Sequence, residues 1–246
     1  MTDPARNDTP DASDTELPRP QEPAASPPVF NLHGSIVMLS LICVAVHLLR
    51  TQVLSPRLDT ELLVATAFFP LRYTPDMFVL DLPTLFSPVT YAFLHADWVH
   101  LGVNLVWLGV FGSPLAYRIG WWRSLVFWVV TAALAAATHL AVYYGDPVPV
   151  IGASGAVSGF MGAAARFGLR ANRRVPRRGF DGPLLSIVQS LRARGVLPFL
   201  GIWIVMNVVV GLNLFSAMGE DGVAWEAHIG GLVAGFLLVP LFVRRQ

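Results

Sequence analysis

Apolar residues run along this chain in long blocks, separated by shorter polar stretches. Six of the blocks approach the roughly 20 residues that a helix needs to cross a bilayer. The pattern therefore predicts an all-α membrane protein, a bundle of six transmembrane helices. The predicted spans are 30–49, 97–117, 124–144, 151–169, 197–216 and 227–243.

The stretches outside these blocks differ from one another in composition. Residues 1–28 are rich in Pro, Asp, Glu, Ser and Thr and hold almost nothing large and apolar, so they predict a disordered cytoplasmic tail ahead of a domain at 29–246. The connection at 50–96 is long, interrupted by prolines and half apolar, and we expect it to lie partly in the membrane interface. Residues 183–192 have apolar positions at helical spacing and predict a short helix on the inner membrane surface.

Composition supports a membrane protein. The chain is 54% hydrophobic and 13% charged, whereas soluble domains carry about 25% charged residues. All 17 cationic residues are arginine, and a net charge of +1 gives no indication of a nucleic-acid partner. One cysteine, Cys43, excludes an intrachain disulfide.

The arginines indicate an orientation. They gather in the connections at 118–123 and 166–196 and at 244–245, whereas the connections at 145–150 and 217–226 carry acidic residues and no arginine. By the positive-inside rule both termini are cytoplasmic, in a multi-pass protein of the plasma (inner) membrane. Three arginines of the outward loop run against this pattern: Arg50, Arg57 and Arg72.

Four polar residues fall at one predicted depth. Segments two, four and six start from the outer side, and near those starts lie His100 and Asn104, then Ser154, then His228. Unpaired polar groups are costly in a membrane, so these side chains should pair with one another or with water. Gly152 and Gly155 leave the Ser154 hydroxyl unobstructed. A serine and a histidine at matching depth indicate a nucleophile and its base.

Small residues recur every four positions on the same two segments. Such ridges let helix backbones approach closely, which a serine hydroxyl and an imidazole need in order to meet. The residues are Gly155, Gly159 and Ala163 on segment four and Ala227, Gly231 and Gly235 on segment six.

Each feature also has a structural interpretation. A Gly-x-Ser-Gly sequence in a transmembrane helix is most often packing, and His100 and Asn104 alone would be interhelical hydrogen bonds. Their convergence favours catalysis, while His47 and His139 lack such company and are interpreted as structural. A zinc site of His95, His100 and His228 is conceivable, but no His-Glu-x-x-His helix or carboxylate accompanies them, so we expect neither metal nor cofactor.

Three motifs, in this order, resemble the rhomboid family of intramembrane serine proteases. They are His95-x4-His100-x3-Asn104, then Gly152-Ala153-Ser154-Gly155, then Ala227-His228-Ile229-Gly230-Gly231. The resemblance implies a six-helix fold, Ser154 as nucleophile and His228 as base, without an acidic third member. It also implies an oxyanion hole formed by His100, Asn104 and the backbone N–H of Ser154. The implied partners are the lipid bilayer and transmembrane protein substrates; the sequence assigns no oligomeric state.

Two departures from the family pattern stand out. The Trp-Arg pair that is frequent in the first outward loop is absent from 50–96, and Ser158 stands where an aromatic residue often stacks on the base. An inactive rhomboid-like protein that binds membrane proteins is the alternative, although such relatives typically lack the serine or the histidine. A solute channel or transporter is disfavoured because internal repeats and buried ion pairs are not apparent in the sequence.

Overall fold

The computed structural model describes residues 32–170, 179–211 and 224–243, and this part of the chain is helical. The predicted tail and the arginines at 173–178 and 244–245 lie outside these residues. The described ranges hold ten α-helices: α1 Gly34–Leu48, α2 Pro56–Thr66, α3 Leu82–Thr90, α4 Trp98–Trp107, α5 Ser113–Ile119, α6 Trp121–Val142, α7 Ser154–Ala165, α8 Ile187–Arg192, α9 Val196–Gly211 and α10 Trp225–Leu238.

Short turns extend or join several of these helices. A π-helical turn, Leu49–Val53, prolongs α1, and another, Leu108–Gly112, joins α4 to α5. Three continuous helices are consequently long and apolar enough to cross a membrane: Gly34–Val53, Trp98–Ile119 and Trp121–Val142. Two shorter apolar helices are Val196–Gly211 and Trp225–Leu241. The all-α prediction is thus confirmed for the described residues, while the count of six spans and the cytoplasmic termini stay predictions.

α7 is shorter than the predicted segment 151–169. It has 12 residues, which at 1.5 Å per residue make it about 18 Å long, against a hydrocarbon core of about 30 Å. Residues 155–165 are all buried, and α7 packs mainly against α10 and α6. An apolar run indicates that a segment is buried, but not whether protein or lipid surrounds it. The length of the apolar run therefore overestimated the length of this helix.

α7 and α10 are in direct backbone contact. A Cβ atom added to Gly231 would fall on the carbonyl oxygen of Gly155, and one added to Gly235 would fall on that of Gly159. On its other side α7 meets α6, where a Cβ atom on Gly159 would collide with Thr131. The small residues therefore bring three helix backbones close together around α7.

The connection at 50–96 is organised by α2, α3 and the contacts of its arginines. Arg50 is 9% exposed, pairs with Asp59 at 2.7 Å and donates to the carbonyl of His95 at 2.9 Å. Arg72 donates to the carbonyls of Val64 and Ala67. Arg57 pairs with Glu61 at 2.9 Å, so all three arginines that run against the charge rule have partners within the loop itself.

Two charged residues that the sequence analysis counted as loop charges are buried instead. Glu226 belongs to α10, is 3% exposed and bonds to Nδ1 of His139 on α6. Arg166 is 6% exposed and donates to the carbonyls of Leu185 and Phe236. Buried charged groups require partners, so both residues bind elements together rather than marking a membrane side.

The short helix predicted at 183–192 is present as α8, Ile187–Arg192. Ser186 accepts a hydrogen bond from the backbone N–H of Gln189, and the Gln189 side chain accepts one from the N–H of Ser186. This capping box satisfies otherwise unpaired N–H groups and explains why the helix begins there.

Candidate active site

Ser154 is the first residue of α7, at the end of an extended segment. Phe68 and Val150 exchange two backbone hydrogen bonds, of 2.8 and 3.2 Å, and the N–H of Gly152 donates to the carbonyl of Tyr91 at 3.0 Å. Gly152 has a φ of +120°, a conformation that residues with a Cβ atom rarely adopt. The chain therefore turns sharply into α7 and presents Ser154 at the helix start.

The N-terminus of α7 offers backbone donors at the same place. The first N–H groups of a helix have no intrahelical partner, and no side chain of the described residues caps this end. The helix dipole adds a partial positive charge there. The Ser154 amide is consequently suited to bind a developing negative charge.

His228 lies in the first turn of α10, opposite Ser154. Its Nε2 atom is 2.6 Å from the Ser154 Oγ atom, and both side chains are partly buried. The close α7–α10 contact at Gly155 and Gly231 lies one turn away on α10 and explains how the two side chains reach hydrogen-bond distance. The structure thus brings the predicted serine and histidine together.

Asn207 on α9 completes this group, and the sequence analysis missed it. Its Oδ1 atom is 2.5 Å from Nδ1 of His228, and its Nδ2 donates to the carbonyl of Trp203 at 2.8 Å. A signal existed, because Asn207 is the one amide side chain in the apolar run 196–211, and a polar group there needs a partner. Sequence alone does not say which partner.

Ser158 does not support the His228 ring in the way that the aromatic residue at this position does in the family pattern. Its hydroxyl donates to the carbonyl of Ser154 at 2.7 Å, one helical turn back. The His228 ring instead lies beside Trp203, with 6.4 Å between ring centroids, and against the Asn207 amide. Besides the contact of its Nε2 atom with Ser154, the imidazole is therefore held from α9.

His100 lies beside the Ser154 turn. Its backbone N–H donates to the carboxylate of Asp97 at 2.8 Å, which caps α4 and lowers the pKa of Asp97. Its ring Nδ1 accepts a long hydrogen bond, 3.5 Å, from the N–H of Ala96. In a neutral ring Nε2 then carries the proton. A Cβ atom added to Gly152 would lie 2.7 Å from that Nε2 and 3.6 Å from the Ser154 Oγ.

Asn104 is placed differently from the other three predicted residues. It is 4% exposed, one turn further along α4, and its amide donates to the carbonyl of His100 at 2.9 Å. This hydrogen bond runs within α4 rather than to Ser154. Asn104 consequently braces the first turn of α4, on which His100 stands.

The alternative zinc site receives no geometric support. In the described ranges, no group of three His, Cys, Asp or Glu residues is arranged to hold a metal ion. His95 is fully buried with its ring 5.2 Å from that of His100.

Comparison with known proteins places the site within a matched region. Residues 83–245 match the family model described as the Rhomboid domain. The chain is 30% identical over 155 residues to the rhomboid protease GlpG of Serratia proteamaculans, covering 61% of this chain and 45% of that protein. It is 30% identical to the Yersinia enterocolitica GlpG and 26% identical to that of Yersinia pestis strain Pestoides F, each over 152 residues with the same coverage. The chain spans less than half the length of these curated relatives.

Proposed function

Because this chain belongs to the rhomboid family, we propose that it is an intramembrane serine endopeptidase that uses a Ser154–His228 dyad. The observation that carries the proposal is the 2.6 Å contact between the Ser154 hydroxyl and His228 Nε2 at the N-terminus of α7. A serine hydroxyl is a weak nucleophile until an adjacent base accepts its proton.

The proposed reaction has two halves. His228 Nε2 takes the proton of Ser154 as Oγ attacks the substrate carbonyl, and then gives it to the leaving amine nitrogen as the peptide bond breaks. The acyl group is left as an ester on Ser154. His228 then takes a proton from a water molecule as that water attacks the ester, and returns it to the Ser154 Oγ atom as the new carboxyl product leaves.

The oxyanion of each tetrahedral intermediate needs fixed donors. We assign this role to the Ser154 backbone N–H and the His100 Nε2–H, and the helix start at Ser154 and the close approach of His100 to Gly152 support the assignment. Asn104 has a second amide hydrogen beyond the one given to the His100 carbonyl. It contributes directly through that hydrogen or indirectly by holding His100.

The proposed substrates are transmembrane proteins, met within the lipid bilayer of the inner membrane. A hydrogen-bonded substrate helix hides its scissile carbonyl, so the cleaved segment must be unwound at the site. The proposed proton transfers involve the side chains of Ser154 and His228, the leaving amine and water.

The decisive test uses the full chain in detergent micelles with a single-span model substrate and a fluorophosphonate probe. We expect the wild-type chain to cleave the substrate and to be labelled. Ser154→Ala and His228→Ala should fall to background, since loss of either group costs about 10⁶-fold in a soluble serine protease. Unchanged thermal melting would show that both variants are folded.

Ser158→Ala is the matched control on the same helix. Its hydroxyl bonds only one turn back, to the Ser154 carbonyl, so the variant should keep most of the activity. Cleavage by Ser154→Ala above a trace would reject the proposal. A wild-type chain that binds the substrate but neither cleaves it nor reacts with the probe would be the inactive, substrate-binding relative.

A further inference from the structure

We infer that Asn207 is a positioning residue for the base, holding His228 in the tautomer and orientation that proton transfer from Ser154 requires. The inference rests on the proposed dyad and adds to it a third residue, carried by α9. It concerns an amide, whereas the third residue of the soluble Ser-His-Asp proteases is a carboxylate.

The hydrogen bonds fix the direction of each donor in turn. Asn207 Nδ2 donates to the Trp203 carbonyl at 2.8 Å, so its other polar atom, Oδ1, faces the imidazole. A carbonyl oxygen accepts and never donates. His228 Nδ1, at 2.5 Å, must therefore carry the ring proton.

A neutral imidazole has one N–H and one acceptor nitrogen. With the proton on Nδ1, Nε2 presents its lone pair to the Ser154 hydroxyl at 2.6 Å. The opposite tautomer would place a lone pair of Nδ1 against the amide oxygen and a proton of Nε2 toward Ser154. Asn207 consequently selects the tautomer in which His228 is a base.

An amide suits a partly buried site better than a carboxylate does. It supplies the acceptor without bringing a second charge out of water. The Trp203 carbonyl bond holds the amide in one orientation, so its oxygen stays toward the ring. Ser158 supplies no aromatic surface here, and α9 provides the support instead.

Two substitutions separate positioning from a structural role in α9. Asn207→Ser keeps a hydroxyl that can donate to the Trp203 carbonyl, but the shorter side chain no longer reaches His228. Asn207→Asp keeps an acceptor oxygen at the same distance from Nδ1. Both are compared with the wild type for kcat, KM and melting temperature, with Ser154→Ala measured in parallel.

We expect Asn207→Ser to lose about 10–100-fold in kcat, the range known for hydrogen-bond partners that orient metal-binding histidines. Its KM and melting temperature should change little, and Asn207→Asp should keep most of the wild-type kcat. Wild-type kcat in Asn207→Ser would overturn the inference, as would equal losses in both variants or a loss confined to KM. If Ser154→Ala is inert while Asn207→Ser is fully active, the inference fails and the dyad stands; if Ser154→Ala still cleaves, the dyad itself fails.

Discussion

Gly152 sets how closely the His100 ring approaches the Ser154 turn. Its φ of +120° and its lack of a Cβ atom let Nε2 of His100 lie directly against the backbone. Any side chain at this position would push the ring away from the place where an oxyanion would form. One missing side chain thus governs two features of the site, the sharp turn and the position of a donor.

Gly152→Ala should therefore lose activity out of proportion to stability. Displacing the His100 donor should lower kcat by about 10²-fold or more, while the positive φ should cost about 1–3 kcal/mol of unfolding free energy. Cleavage kinetics and thermal melting of the purified chain measure the two effects separately.

Gly102→Ala is the control for this substitution, because a Cβ atom there would meet nothing within 4 Å and the residue lies on the same helix as His100. It should keep wild-type kcat. A folded Gly152→Ala chain with normal kcat would remove His100 from the proposed oxyanion hole.

The residues of the site differ in how readily the sequence reveals them. Ser154 and His228 lie in glycine-rich motifs at the starts of two apolar blocks, so the local sequence pattern was enough to predict them as candidate site residues. Asn207 has no motif around it, and its meaning depends on the 2.5 Å contact with His228. A contact between distant segments is a tertiary property that local pattern does not encode.

Among the helices, the contact between α7 and α10 holds the two residues of the proposed dyad together. Gly231→Ala should separate the two backbones, since its Cβ atom would fall on the carbonyl of Gly155. Overpacking of this kind costs about 1–3 kcal/mol or more, and the Ser154–His228 distance should lengthen with it. The melting temperature and the cleavage rate should both fall.

Gly201→Ala provides the matched comparison for Gly231→Ala. Gly201 lies inside α9, and a Cβ atom there would meet nothing within 4 Å. In a helix interior, alanine is more stable than glycine by up to about 1 kcal/mol. The free energy of unfolding of this variant should therefore equal or exceed that of the wild type. Equal melting temperatures for the two variants would contradict the backbone contact at Gly231.

The sequence located the elements better than their ends. Apolar blocks correctly predicted helices in the described residues, but in segment 151–169 the 12-residue α7 begins only at Ser154, after a non-helical stretch at 150–153. That stretch is held by hydrogen bonds to Phe68 and Tyr91, which lie far away in the chain. Hydrophobic periodicity describes faces of a helix and contains no information about such long-range backbone bonds.

At the scale of the whole molecule, the orientation in the membrane is still a prediction, and single cysteines test it. In a Cys43→Ala background, Val148→Cys should react with a membrane-impermeant maleimide in intact cells, since Val148 is 61% exposed in the predicted outer connection. Arg123→Cys, also at an exposed position, should react only after permeabilisation. The reverse pattern would invert the orientation derived from the arginines.

α7 has no side left for lipid, because residues 155–165 are buried among other helices. At about 18 Å it is also too short to reach both faces of a bilayer by itself. During synthesis, a segment of this kind gains little stability if it enters the lipid by itself. It is stable only when it is packed between α6 and α10. The ribosome makes α10 last of the three. We therefore expect the serine-bearing helix to settle late, after the helices that enclose it. A chain interrupted before α10 also lacks His228, so the proposed Ser154–His228 pair cannot form in it.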